Sequence, residues 1–144
     1  MTGTNEGPRT NMDILQMNQD DFVAYIFNMI PQIHVDYDNP DSMLKAGAAL
    51  GDCANIYAFF VQLKAMSLIG KRYMKRKESE AQDEEEKKRW KRCYEDLLDK
   101  ETILGDACKT VDIEYRAVNR ALTVYIDTTR DRYMPDSITK PQRP

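Results

Sequence analysis

The chain has one histidine, one tryptophan and three cysteines in 144 residues, and these scarcities restrict the chemistry it can support. Cys53, Cys93 and Cys108 are odd in number and contain no CxxC pair, so neither a four-ligand zinc site nor a redox dithiol is encoded. Two of them fall on apolar helix faces, as reduced buried cysteines do, which leads us to expect a cytoplasmic protein. The lone His34 stands in HVDYDNPD beside Asp36, Asp38 and Asp41. A calcium loop starting at Asp36 would need an oxygen ligand at its fifth position and glycine at its sixth, where Pro40 and Asp41 stand. We therefore read the segment as a solvated acidic connector. The chain contains no glycine-rich phosphate loop, no GxSxG elbow and no HExxH. We expect a protein that is not an enzyme and that needs no cofactor and no metal. No run reaches the roughly 18 uninterrupted apolar residues of a bilayer span, and no basic segment followed by an apolar run opens the chain. No membrane partner is expected.

Strand-like alternation of useful length is also missing, whereas helical periodicity is abundant. The expected fold is all-α: a long helical hairpin or coiled-coil-like bundle with a short N-terminal helix and loose tails. Residues 1–17 and 133–144 read as the tails and 18–132 as one domain, with helices over about 18–30, 42–77 and 83–131. Asn18 is placed to cap the first helix, with Asp20 and Asp21 in its electropositive first turn. Phe22, Tyr25, Ile26, Met29 and Ile30 form one stripe, and Pro31 ends it. The second helix, capped by Asp41 or Ser42, is apolar on more than one side. Leu50, Cys53, Tyr57, Phe60 and Val61 share one face, while Ile56, Phe59, Leu63 and Met66 spread onto the next. Such a helix needs covering on several sides. Gly47 and Gly51, among Ala46, Ala48, Ala49 and Ala54, suit close helix approach, which we read as core packing. Gly70 marks a possible kink or end.

The last helix carries the clearest pattern. Alternate steps of four and three from Trp90 give Tyr94, Leu97, Glu101, Leu104, Cys108, Val111, Tyr115, Val118, Leu122 and Tyr125. This is a heptad seam in which Glu101 is the one polar member, and Gly105 is a candidate bend. The seam is either an intramolecular core or the place where identical subunits meet; a monomer would leave the second helix partly uncovered, so we expect a homo-oligomer. Trp90, Tyr94, Leu97, Leu104, Val111, Tyr115, Val118, Leu122 and Tyr125 are its candidate interface.

Charge is unevenly distributed. The net charge is −3 overall, with acids concentrated in the first third and bases around the expected turn. Lys71, Arg72, Lys75, Arg76 and Lys77 precede that turn, and Lys87, Lys88, Arg89, Lys91 and Arg92 follow it, with Tyr73 and Trp90 interleaved. Cations beside flat rings are what a single-stranded nucleic acid requires of its binder. The competing expectation is a solvated hairpin tip whose bases are neutralised by Asp83, Glu84, Glu85 and Glu86, the first three spaced four residues before Lys87, Lys88 and Arg89. Arg116 and Arg120 add a candidate anion-binding strip, although Asp112 is equally well spaced to pair with Arg116.

The stretches NPDSMLKAGAALGDCANIYAFFVQLKA and KRCYEDLLDKETILGDACKTVDIEYRAVNRALTVYI resemble small helical proteins of tailed phages. Across residues 40–130 the helix order and the aromatic-then-basic pattern are similar to the phage recombination-mediator family. Members of that family self-assemble into rings, bind single-stranded DNA and help load a recombinase. The resemblance implies that the basic residues at 71–77 and 87–92, with Arg116 and Arg120, contact DNA, in the cytoplasm of a bacterial host. Two other expectations remain open. One is a protein-binding inhibitor or adaptor, such as an anti-defence protein acting on a host nuclease complex. The other is a structural or assembly subunit.

Overall fold

The computed structural model describes residues 10–133, which form four helices and, among the described residues, no strand. They are α1 (Asn11–Leu15), α2 (Gln19–Asn28), α3 (Pro40–Glu80) and α4 (Glu84–Tyr133). The all-α class is as the periodicity indicates.

The helix starts have local causes. Asn18 caps α2 by accepting from the Asp21 amide at 2.9 Å, with Asp20 and Asp21 in the first turn. The cap of α3 is Asn39, whose side chain accepts from the Asp41 and Ser42 amides, with Pro40 as the first helical residue. This moves the start two residues ahead of the expected one, to a position where proline sacrifices no hydrogen bond. Residues 11–15, expected within the N-terminal tail, are instead helical. Thr10 and Asp13 bond each other's main-chain amides reciprocally, and Ile14 and Leu15 enter the core. Residues 1–9 and 134–144, the remainder of the expected tails, lie outside the described residues.

The two long helices form an antiparallel hairpin. At 1.5 Å per residue α3 extends about 60 Å and α4 about 75 Å, and α1 and α2 lie against them. The core combines Phe22 and Ile26 of α2, Cys53, Phe60 and Leu63 of α3, and Leu97, Leu104, Ala107 and Val111 of α4 with Ile14 and Leu15. Gly70 neither ends nor breaks α3. A Cβ there would lie 2.9 Å from Leu97 Cδ1, so its missing side chain admits α4. Beside it the buried Ser67 hydroxyl donates to the Leu97 carbonyl at 3.1 Å. Helix α4 runs unbroken through Gly105.

The heptad seam of α4 is buried at five of its eleven positions, and the partner that covers it is α3 of the same chain. Leu97, Leu104, Val111 and Val118 are buried within the monomer, so their expected role between copies is corrected. Trp90, Tyr94, Leu122 and Tyr125 are half-buried at the ends of the seam, and Tyr115 is its exposed member. Glu101, the polar member, accepts from Lys71 Nζ across the hairpin at 3.0 Å.

The small residues divide between two faces: Ala46 is buried and Ala49 half-buried, as core packing requires, whereas Gly47, Ala48, Gly51 and Ala54 are exposed. Leu44, Gly47, Gly51, Ala54, Ala58, Val61, Ala65 and Leu68 recur by alternate steps of three and four, and every one is exposed. A Cβ added to Gly47 or Gly51 would meet nothing within 4 Å. This row is the outer face of α3, opposite the face that buries Cys53, Phe60 and Leu63, and none of the described residues covers it.

Candidate nucleic-acid interface at the hairpin tip

Ala81 leaves helical geometry at φ −62°, ψ 140°, and the chain reverses over residues 81–83. Asp83 Oδ1 accepts from the Glu86 amide at 2.8 Å and caps α4. Glu84, Glu85 and Glu86 then occupy the first turn, where the helix dipole favours negative charge. The acids therefore start α4. None of the pairs Asp83–Lys87, Glu84–Lys88 or Glu85–Arg89 closes to an ion pair within 4.0 Å.

The hairpin brings both basic clusters to one end. Tyr73 of α3 meets Trp90 of α4 edge-to-face, with ring centroids 5.8 Å apart and planes at 82°. Lys77 Nζ lies 5.5 Å and Arg76 Cζ 5.9 Å from the Tyr73 ring, and Lys75 Nζ lies 4.7 Å from that of Tyr94. Such contacts hold cations in place while leaving them in water. Among the described residues, Arg72, Arg76, Lys77, Lys87, Lys88, Arg89, Lys91 and Arg92 have no carboxylate within ion-pair distance. Lys75 is 3.9 Å from Glu78 and 62% exposed, so it stays available.

Three sequence candidates do not join this cluster. The Lys71 side chain is only 12% exposed and is spent on Glu101. Arg116 pairs with Asp112 at 3.1 Å on the helix surface. Arg116 and Arg120 lie about 36 Å or more along α4 from Arg92 at 1.5 Å per residue, too far to share one short contact with the tip.

A groove of about 930 Å³ opens beside the cations, between α1 and the tip half of the hairpin. Met12, Leu15, Met66, Ile69 and Met74 line it, Tyr73 forms one wall, and Arg92 and Asp96 stand in it as charged groups. The sequence did not reveal this groove because it depends on α1. Tyr73, 42% exposed, belongs both to the groove and to the cation cluster. A ligand with flat, weakly polar groups on an anionic backbone would match the two environments together.

Lys100 was also not legible. Its side chain is 1% exposed, and it bonds Asp96 and the Leu15 carbonyl. Among the described residues no three His, Cys, Asp or Glu side chains converge as metal ligands would. No protein-family model, no curated protein and no solved structure matches the chain.

Proposed function

We propose that the protein is a non-enzymatic helical subunit that binds single-stranded nucleic acid, alone or within a protein–DNA complex, at the tip of its hairpin. The observation that carries this reading is the set of unpaired cations grouped around Tyr73 and Trp90 at the edge of an apolar groove. Phosphates would lie along Lys87, Lys88, Lys91 and Arg92, and bases would enter beside Tyr73, each stacked base contributing about 1–3 kcal/mol. The resemblance to phage recombination mediators supports a recombination or replication setting in a bacterial cytoplasm.

Fluorescence anisotropy of a labelled oligothymidine, titrated over a range of salt, tests the reading. The logarithm of affinity should fall linearly with the logarithm of salt, by about 0.7 per phosphate neutralised. The variant K87Q/K88Q/R92Q should lower that slope by about 2 on the same relation. Replacing Arg116 and Arg120 by Gln should leave the slope unchanged. Absence of binding at low salt would sink the proposal.

A second reading is a protein-binding inhibitor or adaptor, which the apolar groove favours because an amphipathic helix could occupy it. Affinity that survives high salt and is lost in Met66→Asp would select it.

A further inference from the structure

The outer face of α3 is the largest feature left without a role. From Leu44 to Leu68 its three-four row carries no charge, while Leu44 is 74% exposed, and Val61 and Leu68 nearly half. Apolar surface arranged at heptad spacing matches another helix of the same spacing. We propose that this face pairs two copies of the chain, with the two α3 helices antiparallel and centred near Ile56.

Shape sets the register. Aligning the heptad positions of antiparallel copies about residue 56 puts Leu44 opposite Leu68, Gly51 opposite Val61 and Ala54 opposite Ala58. Each glycine, above which space is open, thereby receives a larger side chain. The parallel alternative stacks glycine on glycine and leaves gaps that close packing disfavours.

Charge selects the same orientation. The entry to α3 carries exposed Asp36, Asp38 and Asp41, and its exit carries exposed Arg72, Lys75 and Arg76. Antiparallel pairing lays the acids of each copy beside the bases of the other at both ends, whereas parallel pairing sets like charges together. A bilayer is the competing occupant, because α3 holds an 18-residue window of mean hydropathy 1.3, with 22% of it buried. But α4, packed along the inner face, would have to carry Asp96, Glu101, Asp112 and Arg116 into hydrocarbon. The pairing does not depend on nucleic-acid binding.

Light scattering and disulfide trapping test it, the latter in a Cys93→Ser background that removes the exposed native thiol. The full chain should run at twice its mass of 16.7 kDa, and Ala58→Glu, at an exposed site, should halve that with helicity retained. Mixed Leu44→Cys and Leu68→Cys proteins should cross-link to each other. Leu44→Cys alone should not, because its two copies lie about 36 Å apart in this register. A single-chain mass at the highest concentration reached, a dimer indifferent to Ala58→Glu, or a Leu44→Cys self-cross-link would each overturn the proposal. So would flotation of monomers with phosphatidylglycerol-containing vesicles.

Discussion

Lys100 Nζ donates a 2.7 Å hydrogen bond to the main-chain carbonyl of Leu15, 85 residues earlier. That carbonyl ends α1, where helix geometry leaves acceptors without partners and the dipole favours a cation. The same ammonium bonds Asp96 at 2.7 Å and lies 5.6 Å from the Phe22 ring centroid. One side chain of α4 therefore ties down both short helices, neither of which is long enough to persist alone.

Lys100→Met keeps the buried stem but leaves the Leu15 carbonyl and one Asp96 oxygen unmatched. We expect a loss of about 1–3 kcal/mol in urea unfolding. Amide exchange should rise at Ile14 and Leu15 and stay slow at Leu104 and Val111. Equal protection of α1 in wild type and variant would refute the tie.

The hairpin was legible from the sequence because the period of 3.6 marks dry faces directly, but periodicity does not identify what covers a face. The stripe from Trp90 to Tyr125 is buried at Leu97, Leu104, Cys108, Val111 and Val118 and open at Tyr115, and its partner is α3 of the same chain. The row through Gly47 and Gly51 looked like core and is open surface. Helix α1 spans five residues, too few to display a period, and its one local sign was the Thr10–Asp13 pair. Bonds from Lys71 to Glu101 and from Lys100 to Leu15 depend on how helices register in space, which single-chain spacing does not encode.

The two glycines of the hairpin should respond oppositely to alanine. At Gly105 a Cβ meets only Lys64 Nζ, 4.0 Å away, so Gly105→Ala should stabilise by about 1 kcal/mol through helix propensity. At Gly70 the new methyl would lie 2.9 Å from Leu97 Cδ1, in a packed interface. Moving Leu97 costs about 1–3 kcal/mol, so Gly70→Ala should be neutral or destabilising. Urea midpoints decide, and Gly70→Ala more stable than Gly105→Ala would contradict the packing.

The Lys71–Glu101 pair stands where the seam would otherwise be apolar, with side chains 12% and 27% exposed. Lys71→Met alone strands a partly buried carboxylate and should cost about 1–3 kcal/mol. The double variant Lys71→Met/Glu101→Leu restores a continuous apolar seam and should recover most of that loss. A double-mutant cycle in urea measures the coupling. Strictly additive losses would mean that the ion pair contributes nothing to the hairpin.

Burial raises the Cys53 thiol above its ordinary value of 9.0, and Glu114 and Asp52 push it the same way. Burial also raises Cys108, partly offset by the Lys64 ammonium. A thiol held above its unfolded value binds its proton more tightly in the folded state. Its stabilising contribution is therefore complete below pH 9.0 and is lost as pH rises through the higher folded value. As pH rises above 9.0 the wild-type Tm should fall more steeply than that of Cys53→Ala, which lacks the buried ionisation. The variant begins from a lower Tm because it leaves a cavity at a fully buried core position, so the slope is the diagnostic quantity. Exposed Cys93 should react with a thiol reagent well before the two buried thiols in the same protein. Parallel Tm slopes for the two proteins would show that the Cys53 ionisation is not linked to folding.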